Sequence, residues 1–286
     1  DDKTAGAGTA ENAAKSGVAA ILAKDSDEAI AKAKQLLSVL PANNLETAGN
    51  DYYMENDAAV SADLKGIELI NSVADKESVI ELYKQFGTSA VTAIGSLNWR
   101  TAGFVATNNG AKLTADDSAK IARFVTLCDA YSIPVVTFVD SEGFEKSSAA
   151  ELAGSIRDSA KLAQAYASAT TAKIAVVTGK AYGSAYVALA STAAGSDFTF
   201  AWEGAVIAPT TPEAAVVFLN GVSEDNAKQA QEYADNEADA FTAAANGYVD
   251  RVITAEDTKS ALTSAIEATS SKRVVTPAKK HVNFVY

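Results

Sequence analysis

Residues 134–144 read Pro134-Val135-Val136-Thr137-Phe138-Val139-Asp140-Ser141-Glu142-Gly143-Phe144. Residues 174–186 read Ile174-Ala175-Val176-Val177-Thr178-Gly179-Lys180-Ala181-Tyr182-Gly183-Ser184-Ala185-Tyr186. Each is a short apolar run that gives way to polar residues and glycine, the pattern of a strand covered on both faces that ends in a turn. The stretch between them, residues 151–168, has helical spacing, and a short helix should follow Gly183. Strand, helix, strand, helix in this order predicts an α/β fold with parallel strands.

The same alternation extends outward. Residues 90–97 and 101–107 read as two strands turned at Asn98-Trp99-Arg100, and residues 198–202 as another. Residues 64–72, 76–86, 212–220, 223–245 and 256–270 read as helices. Thr114 with Asp117 three residues on marks the start of a helix reaching about Tyr131. Residues 25–40 carry Ala29, Ile30, Ala33, Leu36, Leu37 and Leu40 at spacings of three and four and stop at Pro41. Residues 1–16 read as a loose arm and 47–57 as a linker, so the main domain is expected from about Val60.

Composition narrows the chemistry. In 286 residues, 24 Lys and Arg against 36 Asp and Glu leave a net charge of −12, which argues against nucleic acid and anionic membranes as partners. No run approaches the roughly 20 apolar residues of a transmembrane helix, and the first residues do not read as a signal peptide; a cytoplasmic protein, or a piece of one, is expected. One Cys and one His exclude disulfide scaffolds and Cys/His zinc clusters. His281 sits in a basic tail, so a Ser-His-Asp triad is disfavoured. Cys128 follows Ile121 and Val125 at helical spacing and reads as a core thiol. No metal-ligating set is assigned.

What remains is backbone chemistry at the two turns. The ends of buried parallel strands are where open α/β sheets place ligands, and free N–H groups at the start of the next helix suit an oxyanion. Gly183 permits close approach of a backbone or ligand, and the small residues Ser184 and Ala185 leave their amides uncovered. The residues alone leave open whether these turns bind a ligand or merely pack. Glu142 and Glu145 beside the first turn are the nearby carboxylates that could move a proton. No phosphate-loop pattern is present.

Residues 122–140, the Gly143-Phe144 turn, Ile156-Arg157, Ala160-Lys161-Leu162, the blocks Lys180-Ala181-Tyr182-Gly183 and Ala185-Tyr186, and Ala201-Trp202 together resemble the carboxyltransferase subunit of biotin-dependent acyl-CoA carboxylases and decarboxylases, and specifically its C-terminal half. Gly247-Tyr248-Val249-Asp250 and Pro277-Ala278-Lys279-Lys280-His281 fit the same pattern, as do residues 37–44 for the stretch joining the halves. The resemblance implies a crotonase-like superhelix of strand-strand-helix units with peripheral helices. Residues 60–286 would be the C-terminal domain, and residues 1–59 the arm, helix and linker that end a missing N-terminal half.

The implied activity is movement of a carboxyl group between N1 of biotin and the α-carbon of an acyl-CoA. The implied donors are the amides of Gly143 or Phe144 and of Ser184 or Ala185, holding the biotin ureido oxygen as an enolate-like anion. Tyr182, Gly183 and Tyr186 are the implied cofactor contacts. The implied partners are a biotin carboxyl carrier protein, the acyl-CoA-binding N-terminal half, further copies of the subunit, and membrane pump subunits if the enzyme is a decarboxylase. This sequence departs from the family where Pro-Gly-Phe becomes Glu142-Gly143-Phe144 and where Gly-Gly becomes Gly183-Ser184. A biotin-independent crotonase-type hydratase or isomerase, using Glu142 or Glu145, and a non-catalytic assembly subunit are the alternative readings.

Overall fold

A computed structural model describes residues 5–46, 54–107, 110–275 and 277. The N-terminal elements are α1 (Ala10–Lys15), α2 (Ser26–Val39), α3 (Gly66–Val73), β1 (Ile80–Leu82), β2 (Ala90–Leu97) and β3 (Arg100–Thr107). Then come α4 (Ala115–Ala130), β4 (Val135–Ser141), α5 (Ser148–Ala153), α6 (Ser155–Ser168), β5 (Lys173–Tyr182) and α7 (Gly183–Leu189). The chain continues with β6 (Phe198–Trp202), β7 (Val206–Ala208), α8 (Pro212–Asn220), α9 (Asn226–Asn236), α10 (Ala240–Ala245), β8 (Arg251–Ile253) and α11 (Thr258–Ala268).

The strands form one sheet in the order β1-β2-β3-β4-β5-β6-β8, with β7 paired to the far end of β5. β1, β2 and β3 are antiparallel neighbours, while β3, β4, β5, β6 and β8 run parallel. Side chains alternate along the central strands as a sheet with two covered faces requires. Val135, Val139, Ala175 and Val177 join one core with α4, α6 and α7. Val136, Phe138, Ile174 and Val176 join the other, with α3 and α11.

Local signals explain several boundaries. Asn98 and Trp99 have φ of 48° and 71°, which makes the two-residue connection of β2 and β3 a type I′ turn. The Thr114–Asp117 pair forms a complete capping box at α4, and the second Asp117 oxygen accepts from the Ser89 amide at 2.9 Å. The expected helix at 25–40 is α2, capped by Asp25.

Other expectations need correction. Residues 76–86 hold no helix: β1 pairs with β2 there, burying Ile80 and Leu82, and Glu77 and Tyr83 adopt φ of 60° and 57° on either side of it. Strand pairing has overridden a helix-like pattern. The arm is not loose throughout, because α1 forms behind a Thr9 cap and Arg123 fixes the following turn through the Gly17 carbonyl at 2.8 Å. The helix expected at 151–168 is two helices separated by left-handed Gly154. That at 223–245 is also two, α9 and α10, the latter capped by Asp239. β5 runs four residues past Thr178, because β7 pairs with its extension.

The segment before Val60 contributes to the same body: Val39 lies in the core, and its carbonyl accepts from Thr101 Oγ1 at 2.8 Å. Most of the expected linker and His281 lie outside the described residues. Among the described residues no helix is long and apolar enough to cross a membrane.

Candidate functional site

The neighbouring strands β4 and β5 deliver both glycine turns to one end of the sheet. Their register is regular through Val139 and Val177, then shifts so that Ser141 pairs with Ala181. A Cβ placed on Gly143 would stand 3.7 Å from the Tyr182 carbonyl oxygen. The turns expected from separate stretches of sequence are therefore in contact.

In the first turn Gly143 has φ of 110°, a conformation that disfavours any side chain. Residues 110–113 run beside the turn and take up most of its polar groups. Gly110 accepts from the Glu142 amide at 3.2 Å, and Leu113 accepts from the Glu145 amide at 2.9 Å. The Gly143 amide donates to Ser141 Oγ at 3.2 Å. The Phe144 amide is left with no acceptor among the described residues, which favours it over Gly143 as the donor to a ligand.

In the second turn Tyr182 precedes α7 without a side-chain cap, so the amides of the first helical turn lack intrahelical acceptors. Gly183 has φ of 57°, and a Cβ there would lie 3.1 Å from the Pro209 carbonyl; both the conformation and the close approach require glycine. Ser184 is exposed, whereas Ala185 is fully buried. Of the two, Ser184 is the residue open to solvent.

The implied tyrosines part company. Tyr182 packs in a small cluster with Ala208 and Ala238 next to the turn. Tyr186 points its hydroxyl to the Tyr248 carbonyl, donating at 2.6 Å, and burial pushes its pKa up to about 12. The Tyr186 phenol thus ties α7 to the segment before β8.

Charged side chains brace the turns, and of these Asp140 and Lys65 were given no role by the sequence. Lys180 Nζ meets Glu142 Oε1 at 2.6 Å, joining the two turns directly. Asp140, almost fully buried, accepts from the Lys180 amide at 2.9 Å and faces Lys65 Nζ at 3.4 Å. The Glu142 hydrogen bond, helped by the negative charge of Glu142 and Asp140 and opposed by burial, holds the Lys180 ammonium above its ordinary pKa. The available sequence signal was Gly179, where any Cβ would collide with the Asp140 carboxylate. Glu145 is exposed. Cys128 is fully buried, which pushes its thiol pKa up and leaves it inert.

With this geometry in view, the likenesses to known proteins are informative. The family model described as carboxyl transferase domain matches residues 2–284. The methylmalonyl-CoA carboxyltransferase 12S subunit of Propionibacterium freudenreichii subsp. shermanii is 36% identical over 92% of this chain and 54% of its own length. The methylmalonyl-CoA decarboxylase subunit alpha of Veillonella parvula is 34% identical over 94% of this chain and 56% of its own. A transcarboxylase 12S hexamer crystal structure, with methylmalonyl-coenzyme A and methylmalonic acid bound, superposes with a TM-score of 0.88 at 34% identity, over 96% of this chain and 58% of that one. The chain thus spans a little over half the length of these relatives, and its α/β fold is the crotonase-like carboxyltransferase fold expected from sequence.

Proposed function

The chain belongs to the carboxyl transferase domain family, and from that premise we propose that it supplies the biotin-facing half of an acyl-CoA carboxyltransferase. The observation that carries this reading is the meeting of the two glycine turns, with the Phe144 amide and the first amides of α7 open at the same end of the sheet. Such donors suit an oxygen that gains negative charge during reaction, because they are fixed before the charge appears. The positive end of the α7 dipole adds to the effect.

Biotin, on a separate carrier domain or protein, would supply the nitrogen that carries the carboxyl group. The residues that fit it are Phe144 and Ser184 as amide donors, with Gly143 and Gly183 giving access and Tyr182 alongside. The Glu142–Lys180 pair holds the two donor turns at a fixed separation. An acyl-CoA is the other substrate, with methylmalonyl-CoA the first to test because two relatives are named for it. The N-terminal half that binds it, a biotin carboxyl carrier protein and further subunits are the proposed partners, in the cytoplasm; a decarboxylase would add membrane pump subunits. Phe218 and Val222, 88% and 89% exposed on and just after α8, leave the kind of apolar surface that subunit contacts cover.

The hydratase alternative has less support, since Glu142 is committed to Lys180 and Glu145 is exposed to solvent. The deciding assay combines the chain with a separately expressed acyl-CoA-binding half, methylmalonyl-CoA and free biotin. Biotin-dependent carboxyl transfer is expected. Turnover of an enoyl-CoA without biotin would overturn the proposal.

A further inference from the structure

The other end of the sheet holds a feature that carboxyl transfer does not use. The starts of β3, β4 and β5, the residues after α11 and residues 44–46 enclose a cleft of about 330 Å³, within the roughly 300–1,000 Å³ of small-molecule sites. β4 separates it from the glycine turns by its whole length, about 20 Å at ~3.3 Å per residue.

Arg100, Lys272 and Arg273 all line this cleft. Lys272 is already satisfied, with Nζ 2.8 Å from Asp197 Oδ2 and 3.1 Å from the Thr171 carbonyl. Neither arginine has a carboxylate at ion-pair distance among the described residues, although Arg273 Nη1 donates to the Lys272 carbonyl at 2.8 Å. The lining carboxylate, Glu46, accepts instead from Asn43 Nδ2 at 2.7 Å. The hydroxyls of Ser132 and Ser270 also line the cleft and make no side-chain hydrogen bond among the described residues.

Two arginines with no carboxylate partner among the described residues line one cleft, in a chain of net charge −12 where carboxylates to neutralise them are plentiful. Guanidinium forks match the oxygens of a phosphoryl group in geometry, and two of them match a dianion in charge. Flanking hydroxyls can serve the remaining oxygens. A long polyanion is disfavoured by the acidity of the whole molecule. From this combination we infer that the cleft is a second binding site, taking the phosphoryl group of a small phosphorylated molecule between Arg100 and Arg273.

The test is isothermal titration of the full chain with pyrophosphate, inorganic phosphate and succinate, at about 50 and 200 mM salt. Saturable pyrophosphate binding is expected, weaker at the higher salt, with succinate at least about tenfold weaker than pyrophosphate. Arg100→Gln and Arg273→Gln should each cost about tenfold in affinity, the scale of one charged hydrogen-bonding partner. Lys228→Gln, the same charge change on exposed α9, should leave affinity unchanged. A measurement on the unaltered chain guards against misfolded variants: pyrophosphate should protect Arg100 and Arg273 from phenylglyoxal, read by peptide mass spectrometry. Absence of saturable binding, equal loss in Lys228→Gln, succinate binding as tightly as pyrophosphate, or labelling of both arginines unaffected by pyrophosphate would each overturn the inference.

Discussion

In the proposed site Ser184 and its neighbours act through the main chain, so the informative substitutions are those that delete an amide. Proline is tolerated in a first helical turn and removes one N–H. In the assembled enzyme Ser184→Pro should therefore lower carboxyl transfer by roughly 10²–10³, the loss seen when one oxyanion donor is removed. Ser184→Ala, which keeps the amide, should stay near the parent rate. A steady-state assay of both variants decides, and a large defect in the alanine variant would assign the role to the hydroxyl instead. Ala185 is the poorer place for this experiment because proline would have to fit a fully buried position.

Lys120 offers a second test at this scale. It is 2% exposed, and its Nζ donates to the carbonyls of Ala90 and Gly87 at 2.7 and 3.2 Å. Burial lowers its pKa from 10.5 to about 8, against the opposing pull of Asp117 and Glu81. Between those values the unfolded chain binds more protons than the folded one, so stability rises with pH. Relative to Lys120→Met, the parent should gain roughly 2–3 kcal/mol from pH 7.5 to about 10.5, since each pH unit over which the two states differ by one proton is worth ~1.4 kcal/mol. Urea unfolding at the two pH values measures it; parallel changes in parent and variant would show that Lys120 contributes nothing.

Among the elements, β3 and α4 approach so closely that only glycine fits between them. A Cβ on Gly103 would stand 2.5 Å from Cys128 Sγ and 3.2 Å from the Phe124 ring. Gly103→Ala should cost about 1–3 kcal/mol by overpacking, and Cys128→Ala in the same chain should recover part of that loss. A double-mutant cycle by chemical denaturation checks the coupling; strictly additive effects would argue that the two positions do not press on each other.

The elements also show which parts of the fold local sequence could announce. Val135 to Val139, and Ile174 to Val177, were legible because strands buried on both faces need little else than apolar residues. The α4 start was legible because Thr114 and Asp117 satisfy each other's amides. β1 was not, since residues 76–86 acquire their strand only from pairing with β2, about a dozen residues further on. The turns themselves were identifiable, but their contact was not: Ser141 beside Ala181 and Glu142 beside Lys180 are products of the β4–β5 register. Arg100 and Arg273 likewise come to line one cleft only after folding.

For the whole molecule, the proposed division of labour makes a direct prediction. The chain should fold by itself, as two cores on one sheet require, yet transfer no carboxyl group between biotin and an acyl-CoA on its own. Alignment of two bound reactants supplies much of the advantage of such a reaction, and half of that alignment is assigned to another domain. Supplementing the purified chain with its acyl-CoA-binding complement should raise the rate from background; robust turnover by the chain alone would refute the two-half arrangement.

The β4–β5 pairing also has a temporal meaning. The Asp140 carboxylate and the Lys180 amide that it holds are 40 positions apart in the chain, with α5 and α6 between them. Helices can form within about a microsecond, whereas closing a parallel crossover must wait for distant strands to find each other. During refolding, helical signal should consequently return before any competence to hold an oxyanion. On that expectation a newly made chain would pass through a period in which its helices are formed and its proposed site is not.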